Sequence, residues 1–306
     1  MKQAIFVSLL LMLLIFPVAK LLAQIPAQNL KVWLSADSGV VSSGGFVSQW
    51  NSCGGATSVA SQSTPAYQPS FISSVSSLNN KPVLEFSSSF LNIPDSVVVG
   101  TFFITCNNSV SSFSDYDGLL TEMSANYYLV GQAGTTNFYP SVATSNLFIN
   151  GQIQSYDLNP MGTFKLLRVR LSSPVSSPNL SIGVDRGNIA RCWKGYVGDV
   201  IIYSSLLNPV EIGDVESFLM NKYAPPINLG PDITLEYGLC DTTLNTGATF
   251  YNSYLWSTGE TTPSIQVATE GFYWLEVSDN FNRTSRDTIH VQYPYSALPD
   301  SSFCLT

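Results

Sequence analysis

The chain has 306 residues, 45% of them hydrophobic and only 11% charged, with 21 acidic against 13 basic side chains and a net charge of −8. That sign argues against nucleic acid, whose phosphates demand a basic footprint, and against binding anionic lipid by charge. So little charge leaves Ser, Thr, Asn and Gly to wet the surface, a composition that suits all-β folds with many turns.

Residues 1–23 read as a signal peptide. Met1-Lys2-Gln3 is a short basic start, Ala4 to Phe16 is a continuous apolar run, and Ala23 is a small residue at the cut site, with Ala19 as the alternative. The run is short for a membrane span, and no second one follows. The expectation is a secreted or cell-surface protein with no membrane span after signal removal. No Cys stands at the cut site, which speaks against a lipoprotein.

From Leu30 onward, short β-rich runs alternate with Ser, Gly, Asn and Pro punctuation. Strands are predicted over 31–35, 46–50, 83–86, 101–106, 127–131, 146–149, 164–171, 180–184 and 196–203. Asn150-Gly151 is a strong short hairpin signal. Many strands without interleaved helices point to an antiparallel sandwich. One helix is predicted, over 209–223. Asn208 can cap it, Pro209 suits its first position, and Glu211 completes a capping-box pattern. Its apolar stripe is Val215, Phe218, Leu219 and Tyr223. The first domain is thus placed at 28–224, and Ala224-Pro225-Pro226 opens a linker over 225–231.

A second, smaller β domain is predicted over 232–293, with strands at 232–235, 254–256, 264–267, 272–277 and 288–293. Residues 294–306 read as a tail or as the start of a further repeat, since Asp300 to Thr306 is comparable to Asp232 through Cys240.

Five cysteines are present: Cys53, Cys106, Cys192, Cys240 and Cys304. None forms a Cys-x-x-Cys pair, and His290 is the one histidine, so a zinc site is not expected. Export permits disulfides, but an odd count leaves one thiol over in a monomer, and the pairing stays open.

Catalytic motifs are lacking. There is no Gly-x-Ser-x-Gly elbow, no His-Glu-x-x-His and no phosphate loop. Retaining glycoside hydrolysis needs two carboxylates about 5–5.5 Å apart, which a strand supplies from same-face positions. Glu85 and Asp199 are lone acids on strands, while Asp115 and Asp117 sit in what reads as a turn, Ser114 to Gly118.

Several segments together resemble a known family. Leu30-Lys31-Val32-Trp33-Leu34-Ser35-Ala36-Asp37, Val47-Ser48-Gln49-Trp50-Asn51, Gln68-Pro69, Asn80-Lys81-Pro82-Val83-Leu84-Glu85-Phe86, Gly195 to Tyr203 and Phe218 to Tyr223 follow the order of laminin-G-like, concanavalin A-like jelly-roll modules. The resemblance covers roughly 28–224. Leu229-Gly230-Pro231-Asp232, Trp256 to Thr262 and Gly271 to Val277 resemble the immunoglobulin-like or PKD-like modules of secreted Bacteroidetes-type proteins. In that second family the early cysteine has a mate after the penultimate strand. Asn280-Phe281-Asn282-Arg283 holds none, so the resemblance implies that Cys240 lacks its bridge, typically worth about 2–4 kcal/mol.

The jelly-roll resemblance implies an all-β fold and makes calcium a candidate cofactor, held at a loop rim by carboxylate and carbonyl oxygens. The loop acids that could serve are Asp115, Asp117 and Asp185. Sugars stack on exposed aromatic faces, and Tyr127, Tyr128, Tyr139 and Tyr156 lie near predicted loops. Trp33, Trp50, Trp193 and Trp256 fall within or beside predicted strands and are expected to pack. The expected function is non-enzymatic binding or adhesion, a lectin-like jelly roll recognising a glycan or an extracellular protein. A glycoside hydrolase or its accessory carbohydrate-binding domain is the alternative, and a purely structural stalk segment is a third reading.

Overall fold

The structure, a computed structural model, describes residues 25–123, 127–141, 146–153, 156–236 and 241–293. Among the described residues the fold is all-β apart from the helix Pro209–Tyr223 and short 3-10 turns.

Between Leu30 and Tyr203 the strands join into one large curled sheet, antiparallel except for a single bridge between Cys192 and Gly118. Its back half runs Leu30–Ser35, Gly195–Tyr203, Val97–Cys106, Lys165–Ser177 and Leu147–Ile149 in spatial order. Its front half runs Phe46–Asn51, Val59–Ser61, Leu91–Ile93, Leu180–Ile182, Gly118–Glu122 and Tyr127–Val130. The halves are joined where Gly195 to Val197 pairs with Lys81–Phe86, which leads through Ser70–Val75 to Phe46.

Side chains from both halves fill one core. Phe102, Ile104, Val200 and Ile202 of the back meet Trp50, Leu91, Leu120 and Ile182 of the front. The alternate positions on the same back strands, Phe103, Leu166, Ile201 and Tyr203, face a second core under the helix, against Val215, Leu219 and Tyr223. Burial on both faces is why 97–106 and 195–203 read as nearly unbroken apolar runs. Trp50 and Trp193 are fully buried, and each indole N–H donates to a backbone carbonyl, Ser35 O and Asn107 O respectively, at 2.9 Å.

The helix spans Pro209–Tyr223 with the anticipated start: Asn208 Oδ1 accepts from Val210 N and Glu211 N, and Glu211 Oε2 accepts from Asn208 N at 2.8 Å. Asn150 and Gly151, both at positive φ, form the two-residue turn joining Leu147–Ile149 to Gln152–Ile153. Seven strands of the large sheet lie outside the predicted set: Val40–Ser43, Val59–Ser61, Ser70–Val75, Leu91–Ile93, Gly118–Glu122, Gln152–Ile153 and Asn188–Cys192.

In the second unit, Ile233–Thr234, Thr284–Gln292, Gly271–Asp279 and Tyr251–Trp256 make one sheet, and Thr242–Asn245 pairs with Ser264–Val267. Trp256, Leu275, Val277, Ile289, Leu244, Ile265 and Val267 fill its interior. The segment 225–231 is docked along its length rather than free. Ile227 N donates to Ser285 Oγ, Leu229 N to Asp287 Oδ2, and Tyr251 Oη to Pro225 O. Arg283 reaches from the second unit to the end of the helix. Its guanidinium donates to Asn221 Oδ1, Met220 O and Ala224 O, while Asp279 holds it from behind at 2.8 Å. Ala224 O lies past the last turn, where a helix runs out of donors for its carbonyls, whereas Met220 O also accepts from Ala224 N at 2.8 Å.

Cys53, Cys106 and Cys192 are all free thiols; Cys240 and Cys304 lie outside the described residues. No helix among the described residues is long and apolar enough to cross a membrane.

Candidate functional site

At one rim of the large sheet, the turn 114–118 and the hairpin 184–192 come together. Gly118 makes this possible: a Cβ there would lie 2.4 Å from Asp185 N. Asp117 turns inward, fully buried, where it accepts from Ser114 N at 3.1 Å and from Lys194 Nζ at 3.0 Å. Asp185 is buried as well. Its two oxygens accept from Arg186 Nε and Nη2 at 3.0 and 2.9 Å, a fork-on-fork pair, and Oδ2 also accepts from Arg191 Nη1 at 3.3 Å.

Arg191 then bridges to Asp115, whose Oδ2 accepts from its Nε at 3.3 Å. The backbone N–H of Tyr116, first, and then the Arg191 guanidinium hold the Asp115 carboxyl below its ordinary range, so it stays ionised. The same guanidinium lies 5.0 Å over the Tyr116 ring. Tyr116 in turn meets Tyr139 nearly edge-on, with ring centroids 5.7 Å apart. Tyr116, Tyr139, Arg186, Arg191 and the buried Val130 enclose a pocket of about 280 Å³.

The pocket's lining offers aromatic faces and guanidinium N–H donors. Arginine keeps its proton at any accessible pH, and each nearby carboxylate is tied to a cation. The three acids expected to hold calcium are indeed gathered in one place, but their oxygens face Arg186, Arg191 and Lys194 instead of converging on a common centre. They do not fit a calcium ion. Among the described residues no group of three His, Cys, Asp or Glu side chains is placed to hold any metal.

The four candidate tyrosines separate. Tyr139 is on the pocket wall. Tyr128 is a core residue, correcting its placement among exposed binding side chains: it is buried, edge-on to Phe102, with its hydroxyl bonded to Ser177 Oγ. Tyr156 is half-buried and packs against the main core. The side chain of Tyr127 lies outside the described residues. Tyr116, Arg186 and Arg191 were not among the expected residues. Their signal is present in hindsight: each stands next to, or opposite, one of the acids that were chosen.

Two other acids and the histidine have structural partners. Asp199, on the second strand of the back half, accepts from Trp33 Nε1 at 3.1 Å, from Lys222 Nζ at 2.7 Å and from Tyr223 Oη. It bolts the helix to the sheet, beside a groove of about 620 Å³ between Trp33 and Phe218. Glu85 lies between Tyr196 and Ser70 on neighbouring strands. His290 stacks on the exposed Phe272, centroids 4.2 Å apart, in the second unit.

Comparison with models of known protein families finds no match, and no curated protein is similar to the chain.

Proposed function

We propose that the chain is an exported, non-enzymatic recognition protein. In this reading the large sheet is a concanavalin A-like jelly roll that binds a glycan at its rim pocket, and the second unit is an immunoglobulin-like spacer in a surface adhesin. The observation that carries the reading is the pocket itself: two tyrosine rings meeting edge-on beside two guanidinium groups that the buried Asp185 carboxylate holds in place. Aromatic faces take the apolar side of a sugar ring, and fixed N–H donors take its hydroxyls. The paired state of Asp115, Asp117 and Asp185 supports binding over hydrolysis, because hydrolysis needs two carboxylates free to act on the same bond.

The test is a glycan array probed with the full chain, alongside Tyr116→Ala and Tyr139→Ala. Retained array signals that both variants lose, with unchanged circular dichroism, support the reading. Signals indifferent to both variants remove the pocket from it, and release of reducing sugar from any arrayed glycan replaces binding with catalysis.

A further inference from the structure

Resting on the glycan reading, we propose that the rim pocket is built for an uncharged sugar, taken one residue at a time and without a metal ion. The argument is one of charge balance. Around the pocket stand three cations, Arg186, Arg191 and Lys194, and three anions, Asp115, Asp117 and Asp185, and every one of the six is in an ion pair of 3.3 Å or less. An electropositive site for a uronate, a sulfate or a phosphate needs cationic charge to spare. Here the charge of each guanidinium is already neutralised by a carboxylate, and Asp185, with no exposed surface, cannot swing away to be replaced by a ligand's anion. A cationic ligand fares no better, since no carboxylate is left without a cation.

What the lattice does offer is direction. Guanidinium N–H groups and carboxylate oxygens, bidentate between Arg186 and Asp185 and bridged where Arg191 spans Asp185 and Asp115, form a fixed array of donors and acceptors, matched by neutral hydroxyl groups that both give and receive. The same ion pairs do the orienting work that a calcium ion would do in a rim site of carboxylates and carbonyls. Size sets the number of rings. The pocket's 280 Å³ falls just under the range of about 300–1,000 Å³ that holds drug-sized ligands, so it fits a single sugar residue, such as a chain end, with the rest of the glycan outside.

The experiment is titration of the full chain with a panel of neutral oligosaccharides and a matched panel bearing uronate, sialate or sulfate groups. Each titration is run at low and high salt and with and without EDTA. Neutral sugars are expected to bind, with affinity changing less than about twofold between the two salts, because the binding involves no net charge for salt to screen, and with no effect of EDTA. Arg191→Lys, which keeps the charge but cannot bridge Asp185 and Asp115 from one planar group, is expected to weaken binding about tenfold, roughly the loss of one hydrogen bond to a charged group, while leaving the melting temperature within a few degrees.

Preferential binding of the acidic panel, weakening with salt, overturns the neutral-sugar proposal and leaves the glycan reading standing. Loss of binding in EDTA overturns its metal-independence. Binding of neither panel overturns both the proposal and the glycan reading beneath it.

Discussion

Lys222 Nζ lies 2.7 Å from Asp199 Oδ2, joining the last turn of the helix to the strand Gly195–Tyr203 of the back half. Around this pair, Trp33 and Tyr223 also donate to Asp199, and Ser35 Oγ accepts from Lys222 at 2.7 Å. Gly198 leaves room for it: a Cβ at that position would sit 2.3 Å from Tyr223 Oη. The Gly-Asp step in the strand and the Lys-Tyr step ending the helix are therefore one structural unit, separated by 23 residues in sequence.

Removing the acid should be costly. Asp199→Ala removes the nearer carboxylate of a nearly buried ammonium, leaving Lys222 with Asp37 at 3.4 Å, and takes the acceptor from Trp33 Nε1 and Tyr223 Oη; the expected loss is about 1–3 kcal/mol, that of buried donors left unsatisfied. Urea unfolding measures it. Asp199→Asn, which keeps an acceptor for both donors, is expected to lose less; if it is as unstable as the alanine variant, those hydrogen bonds are not what the acid contributes.

Arg283→Ala should loosen the junction. The variant gives up donors to Asn221, Met220 and Ala224, and the expected destabilisation is about 1–3 kcal/mol, that of leaving the buried Ala224 carbonyl unsatisfied, since Met220 O keeps its bond from Ala224 N. Limited proteolysis is the direct check, with cutting near 224–231 expected to accelerate relative to the parent chain. Unchanged cleavage there counts against the contact.

The described thiols should differ in reactivity. Burial pushes Cys106 up to about 12 and Cys192 up to about 11, whereas Cys53 is half-exposed at the groove beside Trp33. Alkylation of the native protein at neutral pH, read by peptide mapping, should mark Cys53 well before the other two, since only thiolate reacts. Equal labelling of all three would contradict the packing around Cys106 and Cys192.

Alkali should weaken the fold in a defined window. Burial raises Cys106 from 9.0 and Tyr251 from 10.0, each to about 12, and also raises Tyr223 well above the ordinary tyrosine value, helped by the neighbouring Asp199. These groups are neutral in the folded state, and an unfolded chain loses their protons more easily. Their contribution is thus complete below about pH 9 and is lost as pH rises towards 12. The urea midpoint should be flat from pH 7 to about 9 and fall steadily above it; a flat profile to pH 11 would show that these groups do not titrate differently in the two states.

The sequence was most readable where local chemistry decides the outcome. Asn208, Pro209 and Glu211 write a helix start within four positions, and Asn150-Gly151 writes a hairpin in two. Doubly buried strands such as 97–106 announce themselves by unbroken apolar character. Val40–Ser43, Val59–Ser61 and Ser70–Val75 do not, because each is short and half-exposed, with serines where an alternating apolar pattern would otherwise show. The pocket was half legible for a different reason. Asp115, Asp117, Asp185 and Tyr139 stood out as polar or aromatic loop residues, but whether an acid meets a metal or an arginine depends on contacts 70 or more positions apart, such as Arg191 with Asp115. Spacing along a chain carries no record of that choice.

The grip of Arg283 on the helix end has a mechanical meaning. Tension applied through the C-terminal unit enters the larger one at a helix terminus held by a guanidinium, in parallel with the peptide at Pro225-Pro226. From there the load path runs through Lys222 into Asp199 on the strand next to the back sheet's edge. The rim where Tyr116 meets Tyr139 is off that path, so strain entering at the helix end bypasses the two rings.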